Sequence, residues 1–166
     1  MYGAILEAVR DFPHTQVVLS LGRNSNPDDL GPIPSNTIIV RIAPQIELLK
    51  RAMLCITHAG VNTALEALVQ GVPMVAIPIG ADQPGVAARI AYHGVGEFVE
   101  LGDLTAQRLS ELITKVEADP KYRDKARWFQ KIIRETRGLD LAADIIERVF
   151  GERPEDQEAA ISDRHP

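Results

Sequence analysis

Between Thr57 and Gln83 the chain reads THAGVNTALEALVQGVPMVAIPIGADQ, and the polar residues in it come in a chemically ordered series. His58, Asn62 and Thr63 carry side chains that donate hydrogen bonds to an oxyanion. Glu66 is a hydrogen-bond acceptor in an otherwise apolar run, and Asp82-Gln83 is a pair of the type that binds hydroxyls. The spacing gives each group a place. Met53 to Thr57 is a short apolar run bounded by turn chemistry, which predicts a buried parallel strand. His58-Ala59-Gly60 follows as a turn, and Val61 to Gln70 continues with helical spacing. Gly71 closes that helix and Pro73 prevents its continuation. Asn62 and Thr63 therefore fall in the first helical turn, where unpaired backbone N–H groups and the helix dipole favour an anion.

Glu66 lies one turn after Asn62 and Thr63 and shares their face. A carboxylate against a diphosphate is repelled, but one set a turn deeper can accept from two vicinal hydroxyls. Glu66 is expected on the buried side of the helix, where an unpaired acid is costly. Met74 to Ile77 is the next apolar strand. Asp82 and Gln83 follow at the carboxyl end of the sheet, where open α/β folds bind ligands. Asp82 has two readings, a hydroxyl binder or a plain N-cap for the helix beginning near Pro84. Each element alone has a structural explanation; the ordered set does not.

The surrounding elements alternate regularly. Met1 to about Asp11 has helical periodicity, and Thr15 to Leu21 is a strand. Gly22 to Pro27 is a turn-rich loop whose Arg23 is either solvated or within reach of a ligand. Thr37 to Ile42 is a strand, and Pro44 opens a short helix to about Arg51. Beyond the central block, Pro84 to Tyr92 is helical, Gly96 to Leu101 is a strand, and Asp103-Leu104-Thr105 caps a helix from Ala106 to Ala118. Asp119-Pro120 opens another to about Arg137, with Gly138 as a break before a last helix over Asp140 to Phe150. This alternation predicts an α/β fold with a Rossmann-like, mostly parallel sheet flanked by helices. Residues 1–150 form the expected domain, and the polar tail 151–166 is expected to be disordered.

Composition narrows the class. The 166 residues are 45% hydrophobic and 25% charged, ordinary for a globular domain. A net charge of −5 without a basic stripe argues against nucleic acid. The one cysteine, Cys55, excludes an internal disulfide and reads as a buried thiol. His14, His93 and His165 lack partners at metal-ligand spacing, so no metal is expected. The start shows no signal-peptide pattern and no stretch approaches a membrane span, which predicts a cytoplasmic protein.

The block from Ala43-Pro44-Gln45 through His58-Ala59-Gly60, Asn62-Thr63, Glu66, Gly71-Val72-Pro73 and Pro78 to Asp82-Gln83 resembles the nucleotide-sugar signature of the GT-B fold UDP-glycosyltransferases. The likeness is greatest to their bacterial macrolide and antibiotic glycosyltransferase-like branch. The spacing holds over about 40 residues, far more specific than a short glycine motif. A looser likeness runs to about Phe150 and covers the C-terminal, donor-binding half of such an enzyme. The resemblance implies hexose transfer from a UDP-sugar or related nucleotide-sugar to a hydroxyl of a small-molecule acceptor, with no further cofactor. It implies that Gln45 and the backbone around Ile42 and Ala43 meet the base, and that His58, Asn62, Thr63 and the Gly60 backbone hold the diphosphate. Glu66 takes the ribose hydroxyls, and Asp82 with Gln83 the transferred sugar.

Two departures qualify it. Plant members carry Trp where this chain has Ile42, which leaves thymine or another base open beside uracil. The family's acceptor domain, with its catalytic base, and the first strand of the donor domain are not in the sequence. The expectation is therefore of a fragment, a truncated frame or a split-enzyme subunit without a catalytic residue of its own. Unpaired sheet edges are expected where the first strand would lie, favouring a partner chain or self-association. The related muramyl-type N-acetylglucosaminyltransferases, and a non-catalytic nucleotide-sugar binding module, are the alternatives; the epimerases of this architecture place an acidic-Arg pair at Asp82-Gln83.

Overall fold

The computed structural model describes residues 1–22 and 25–150. Arg23 and the tail over 151–166 lie outside the described residues. The chain divides into two compact units, Met1–Gln130 and Lys131–Pro166.

In the first unit, helix α1 (Tyr2–Ala8) continues as a 3-10 turn over Val9–Asp11. Strand β1 (Val17–Ser20) follows, then a 3-10 turn (Pro27–Leu30), strand β2 (Thr37–Val40) and the short helix α2 (Gln45–Leu49). Next come β3 (Cys55–Thr57), α3 (Val61–Val69), β4 (Met74–Ala76), α4 (Gln83–Tyr92) and β5 (Gly96–Phe98). A 3-10 turn at Leu101–Asp103 leads to α5 (Ala106–Ala118) and α6 (Pro120–Thr136). The expected strands all appear, each trimmed by one to three residues at its ends, where pairing stops before the apolar run does. The 3-10 turns at Pro27–Leu30 and Leu101–Asp103 had no periodic signal to betray them.

Every strand pairing is parallel, but the sheet is in two pieces. β1 pairs with β2, while β3, β4 and β5 pair in that order. Among the described residues the terminal strands of the two pieces, β1, β2, β3 and β5, each have a strand neighbour on one side alone. The consequence is visible in burial. β4 is wholly buried, whereas Cys55 and Ile56 of β3 are half-exposed despite their apolar character. Cys55, expected as a buried thiol, is half-buried, and its burial pushes the thiol up to about 11.

Alternation along β4 builds two apolar layers. Val75 and Ile77 enter a core with Ile5, Ala8 and Val9 from the first helix and Leu109, Leu112, Ile113 and Val116 of α5. Met74 and Ala76 enter the other, with Ala64 and Ala67 of α3 and Ala87 and Ile90 of α4. Small residues on α3 let that helix lie close to the strand. The two central helices end alike: Val72 N–H donates to Ala67 O at 2.9 Å and Gly71 N–H to Leu68 O at 3.0 Å, with Gly71 at φ 68. Val95 and Gly94 repeat the pattern on Ile90 and Ala91. Each is a Schellman turn that hands the chain straight into the next strand.

β5 carries a polar network on its length. Lys115 bonds Glu97 at 2.7 Å and the Tyr122 hydroxyl donates to the same carboxylate. Burial raises the Glu97 pKa, but the hydrogen bonds from Lys115 and Tyr122 and the charges of Lys115 and Lys121 outweigh it, leaving it below the usual range.

The second unit holds the end of α6 and α7 (Gly138–Phe150). Gly138 begins α7 rather than breaking the chain; the break is one residue earlier, where Arg137 has φ 45 and its guanidinium meets Asp140 at 2.7 Å. α7 exposes Leu141, Ile145, Ile146, Val149 and Phe150. Among the described residues no helix is long and apolar enough to cross a membrane.

Two outcomes follow from the β4–β5 contact. A Cβ on Gly96 would lie 2.0 Å from Met74 O, a backbone atom that cannot move aside, so Gly96→Ala should cost ~3 kcal/mol or more in denaturant unfolding. A carboxylate held below its unfolded pKa contributes stability above the unfolded value and loses it as pH falls through the folded one. The melting temperature should therefore drop on acidification below the usual glutamate range, and Glu97→Gln should flatten that drop.

Candidate functional site

The site is organised by one turn. At the end of β3 the Thr57 hydroxyl accepts the Ala59 N–H at 3.1 Å, and both residues are buried. Ala59 sits at φ 65, a left-handed conformation that a non-glycine residue adopts at a cost. This bend turns the chain out of the sheet so that α3 begins at Val61 with its N-terminus at the sheet's carboxyl end. Its N-cap, Gly60, makes no side-chain cap bond, so the first-turn N–H groups remain available to an anion. The His58 ring lies over Gly60: a Cβ there would stand 2.6 Å from His58 Nε2. Glycine is what lets the exposed imidazole sit across the helix start.

One turn along, Thr63 and Glu66 meet Gln45 from the start of α2. The Gln45 Nε2 group donates to Glu66 Oε2 at 2.6 Å and to Thr63 Oγ1 at 3.3 Å. Pro44, Gln45, Ile46, Glu47 and Glu66 line an open depression of ≈ 420 Å³ beside them. Glu66 is thus half-buried at the rim instead of inside the helix packing, and it is paired. That corrects the expectation of a costly buried acid: the apolar neighbours Ala64 and Ala67 face the core, while Glu66 does not. Gln45 reaches the carboxylate and the hydroxyl, a partnership that helical spacing alone could not reveal because the two residues come from different helices.

Ile42 is 62% exposed just before α2, with Ala43 half-buried next to it. Asn62 is exposed in the first turn of α3. After β4, Asp82 occupies the N-cap position of α4 with helical backbone angles and makes no cap bond. The plain N-cap reading is therefore corrected: at φ −81 and ψ −9 the backbone is already helical, and the exposed carboxylate is left over. Gln83 instead fastens the loop, its Oε1 accepting from Ile79 N–H at 2.8 Å and Gly80 N–H at 3.1 Å. Its amide nitrogen has no bond among the described residues. The loop role of Gln83 depends on Ala81 at φ 56 folding the chain back, a bend that local spacing does not encode. Among the described residues no three His, Cys, Asp or Glu side chains stand together as a metal site.

These groups therefore form a rim at the carboxyl ends of β3 and β4, with oxyanion donors at the α3 start and hydroxyl acceptors a turn away. Residues 3–153 match the family model described as UDP-glucoronosyl and UDP-glucosyl transferase, and the chain belongs to that family. It is 37% identical over 146 residues to the NDP-glycosyltransferase YjiC of Bacillus licheniformis, covering 88% of this chain and 37% of that protein. It is 32% identical over 163 residues to the oleandomycin glycosyltransferase of Streptomyces antibioticus, covering 98% and 38%. The fold matches one part of the GT-B glycosyltransferase structures. The glycotransferase of kitacinnamycin superposes with a TM-score of 0.82 at 30% identity, covering 89% of this chain and 38% of that one. The glycosyltransferase VinC, solved with DTDP, gives 0.70 at 28% identity, covering 78% and 32%. The chain spans well under half the length of these relatives.

The turn makes a direct prediction. Thr57→Val keeps shape but removes the acceptor for a buried N–H, and should cost about 1–3 kcal/mol by denaturant unfolding.

Proposed function

We propose that this chain carries the donor-binding part of a glycosyltransferase that moves a hexose from a UDP-sugar, or a related nucleotide-sugar, to a hydroxyl of a small-molecule acceptor. The observation that carries the reading is the joining of Gln45, Thr63 and Glu66 at the rim of one depression, directly beside an uncapped helix start. Diphosphate oxygens take the α3 N–H groups, Asn62, Thr63 and His58, where the dipole is favourable and no acid intrudes. The ribose meets Glu66, and the base lies toward Ile42 and Ala43 beside Gln45. Asp82 and the Gln83 amide nitrogen supply an acceptor and a donor for the sugar ring.

On this reading the chain binds and orients the donor, and withdraws charge from the diphosphate leaving group through the helix start and His58. Transfer also needs a base within hydrogen-bond reach of the acceptor hydroxyl. In this scheme a base and an acceptor cleft supplied from outside the site complete the reaction, and the open edges of the terminal strands suit contact with a partner or a second copy. No metal or other cofactor enters the scheme.

Calorimetry tests it. UDP should bind with a dissociation constant between about 1 μM and 1 mM. Glu66→Ala should weaken UDP by about 1.5–3 kcal/mol and leave inorganic diphosphate nearly unchanged. Gly60→Ala, which pushes the His58 ring aside, should weaken both. Absence of any nucleoside diphosphate binding at millimolar concentration refutes the proposal.

A further inference from the structure

We infer that the end of the first unit opposite the rim is a docking surface for an anionic lipid bilayer, built from the end of α4 and the outer face of α6 up to Gln130. This surface shares no residue with the rim, so it stands or falls apart from donor binding.

Helix α4 starts beside the rim at Gln83 and ends at Tyr92. Where it ends, four rings stand in an edge-to-face row. Tyr92 meets His93 at 5.2 Å between centroids, His93 meets Phe129 at 5.4 Å, and Phe129 meets Trp128 at 4.9 Å. Phe129 is half-buried and packs on the core under α3 and α4, which anchors the row. The outer rings stand in water: Tyr92 is 86% exposed, and Trp128, the only tryptophan of the chain, 50%. Rings with a large apolar body and a polar tip gain most at a boundary that is apolar on one side and wet on the other.

Cations frame the row. Lys125 Nζ lies 4.5 Å from the centroid of the Trp128 ring. Lys125, Arg127 and Arg89 are exposed and have no carboxylate partner among the described residues. Lys121 is held by Asp119 at 2.6 Å and Arg123 by the Met53 carbonyl, so these two are partly spent on the fold. Asp124 is the one acid on α4 or on α6 up to Gln130. This local excess of positive charge runs against the net −5 of the chain. The acids of the rim, Glu66 and Asp82, lie toward the far end of α4, about 15 Å away, beyond the Debye length of about 8 Å. An anionic surface approaching here is therefore met by the cations. Trp and Tyr can sink to headgroup level while Lys and Arg stretch to the phosphates, the division of labour at a bilayer interface. Docked in this way, the chain presents its rim to water.

Trp128 is its own reporter. Vesicles of phosphatidylglycerol and phosphatidylcholine in roughly equal parts, added to the 166-residue chain, should shift its emission to the blue, and lipids brominated near the headgroup should quench it. Phosphatidylcholine vesicles alone should do neither, and high salt should reverse the shift. In co-sedimentation, Lys125→Glu should weaken binding about tenfold, since each basic side chain near an anionic surface contributes about fivefold and the charge is reversed. Tyr92→Ala should weaken it several-fold, and both variants should keep the native melting temperature. No shift with anionic vesicles, an equal shift with neutral ones, or native binding by both variants overturns the inference. So does a shift that appears without lipid as the chain is concentrated, which assigns the surface to a second copy. A shift with poly-glutamate or an oligonucleotide but not with vesicles assigns it to a soluble polyanion and overturns the inference equally.

Discussion

The hydrogen-bonded burial of β4 between β3 and β5 is the constraint from which the remaining geometry follows. Met74, Val75 and Ala76 are fully buried, and their alternation feeds one apolar layer under α1 and α5 and another under α3 and α4. A slip of one residue would exchange the two sets, bringing Val75 against the small-residue face of α3 where Ala76 now fits. Because β3 is registered on β4, with Thr57 opposite Ala76, the end of β3 is fixed too, and with it the turn that launches α3. The Schellman turns at Gly71 and Gly94 keep the connections short, so little freedom remains between the core and the rim of the site.

The rim itself is built from local compromises. Ala59 holds a left-handed backbone with its N–H on the buried Thr57 hydroxyl, a cost borne by the packing around it. In return the helix start is presented uncapped, and Gly60 leaves space for the His58 ring above it. Thr63 and Glu66 project from the same helix one turn on, where Gln45 of α2 bridges them. On the far side, the two bonds that Gln83 accepts from Ile79 and Gly80 shape the loop after β4. Binding residues on such a loop need a rigid base, and the buried strand provides it.

The split of the sheet into β1-β2 and β3-β4-β5 has a different meaning from the strength of its centre. Strands such as Cys55–Thr57, apolar on both faces, are suited to a flanked position in a parallel sheet. Among the described residues β3 has a strand neighbour on one side alone, and Cys55 and Ile56 are only half-buried. Both halves nevertheless share a core, since Val17, Leu54 and Ile56 all pack against the layer formed by α1, β4 and α5. Helix packing rather than strand pairing joins the two pieces.

The local grammar of the chain is legible in its residues alone. Apolar runs between Gly and Pro punctuation located the five strands, Gly71 marked a helix end, and the order His58, Asn62-Thr63, Glu66, Asp82-Gln83 put the polar groups near the carboxyl ends of two strands. These are properties of near neighbours in the chain, where period and turn chemistry suffice. What each polar group bonds is set instead by how the elements pack in three dimensions. That Glu66 lies at a rim, not in the core, depends on which face of α3 meets β4. That Gln45 holds Glu66 depends on α2 and α3 meeting across an intervening strand, 21 residues apart in sequence. That Asp82 leaves its cap unmade while Gln83 ties the loop depends on the backbone of Ala81. Hydrogen bonds between distant segments are set by how helices seat on a sheet, and a single sequence carries no period that encodes that seating.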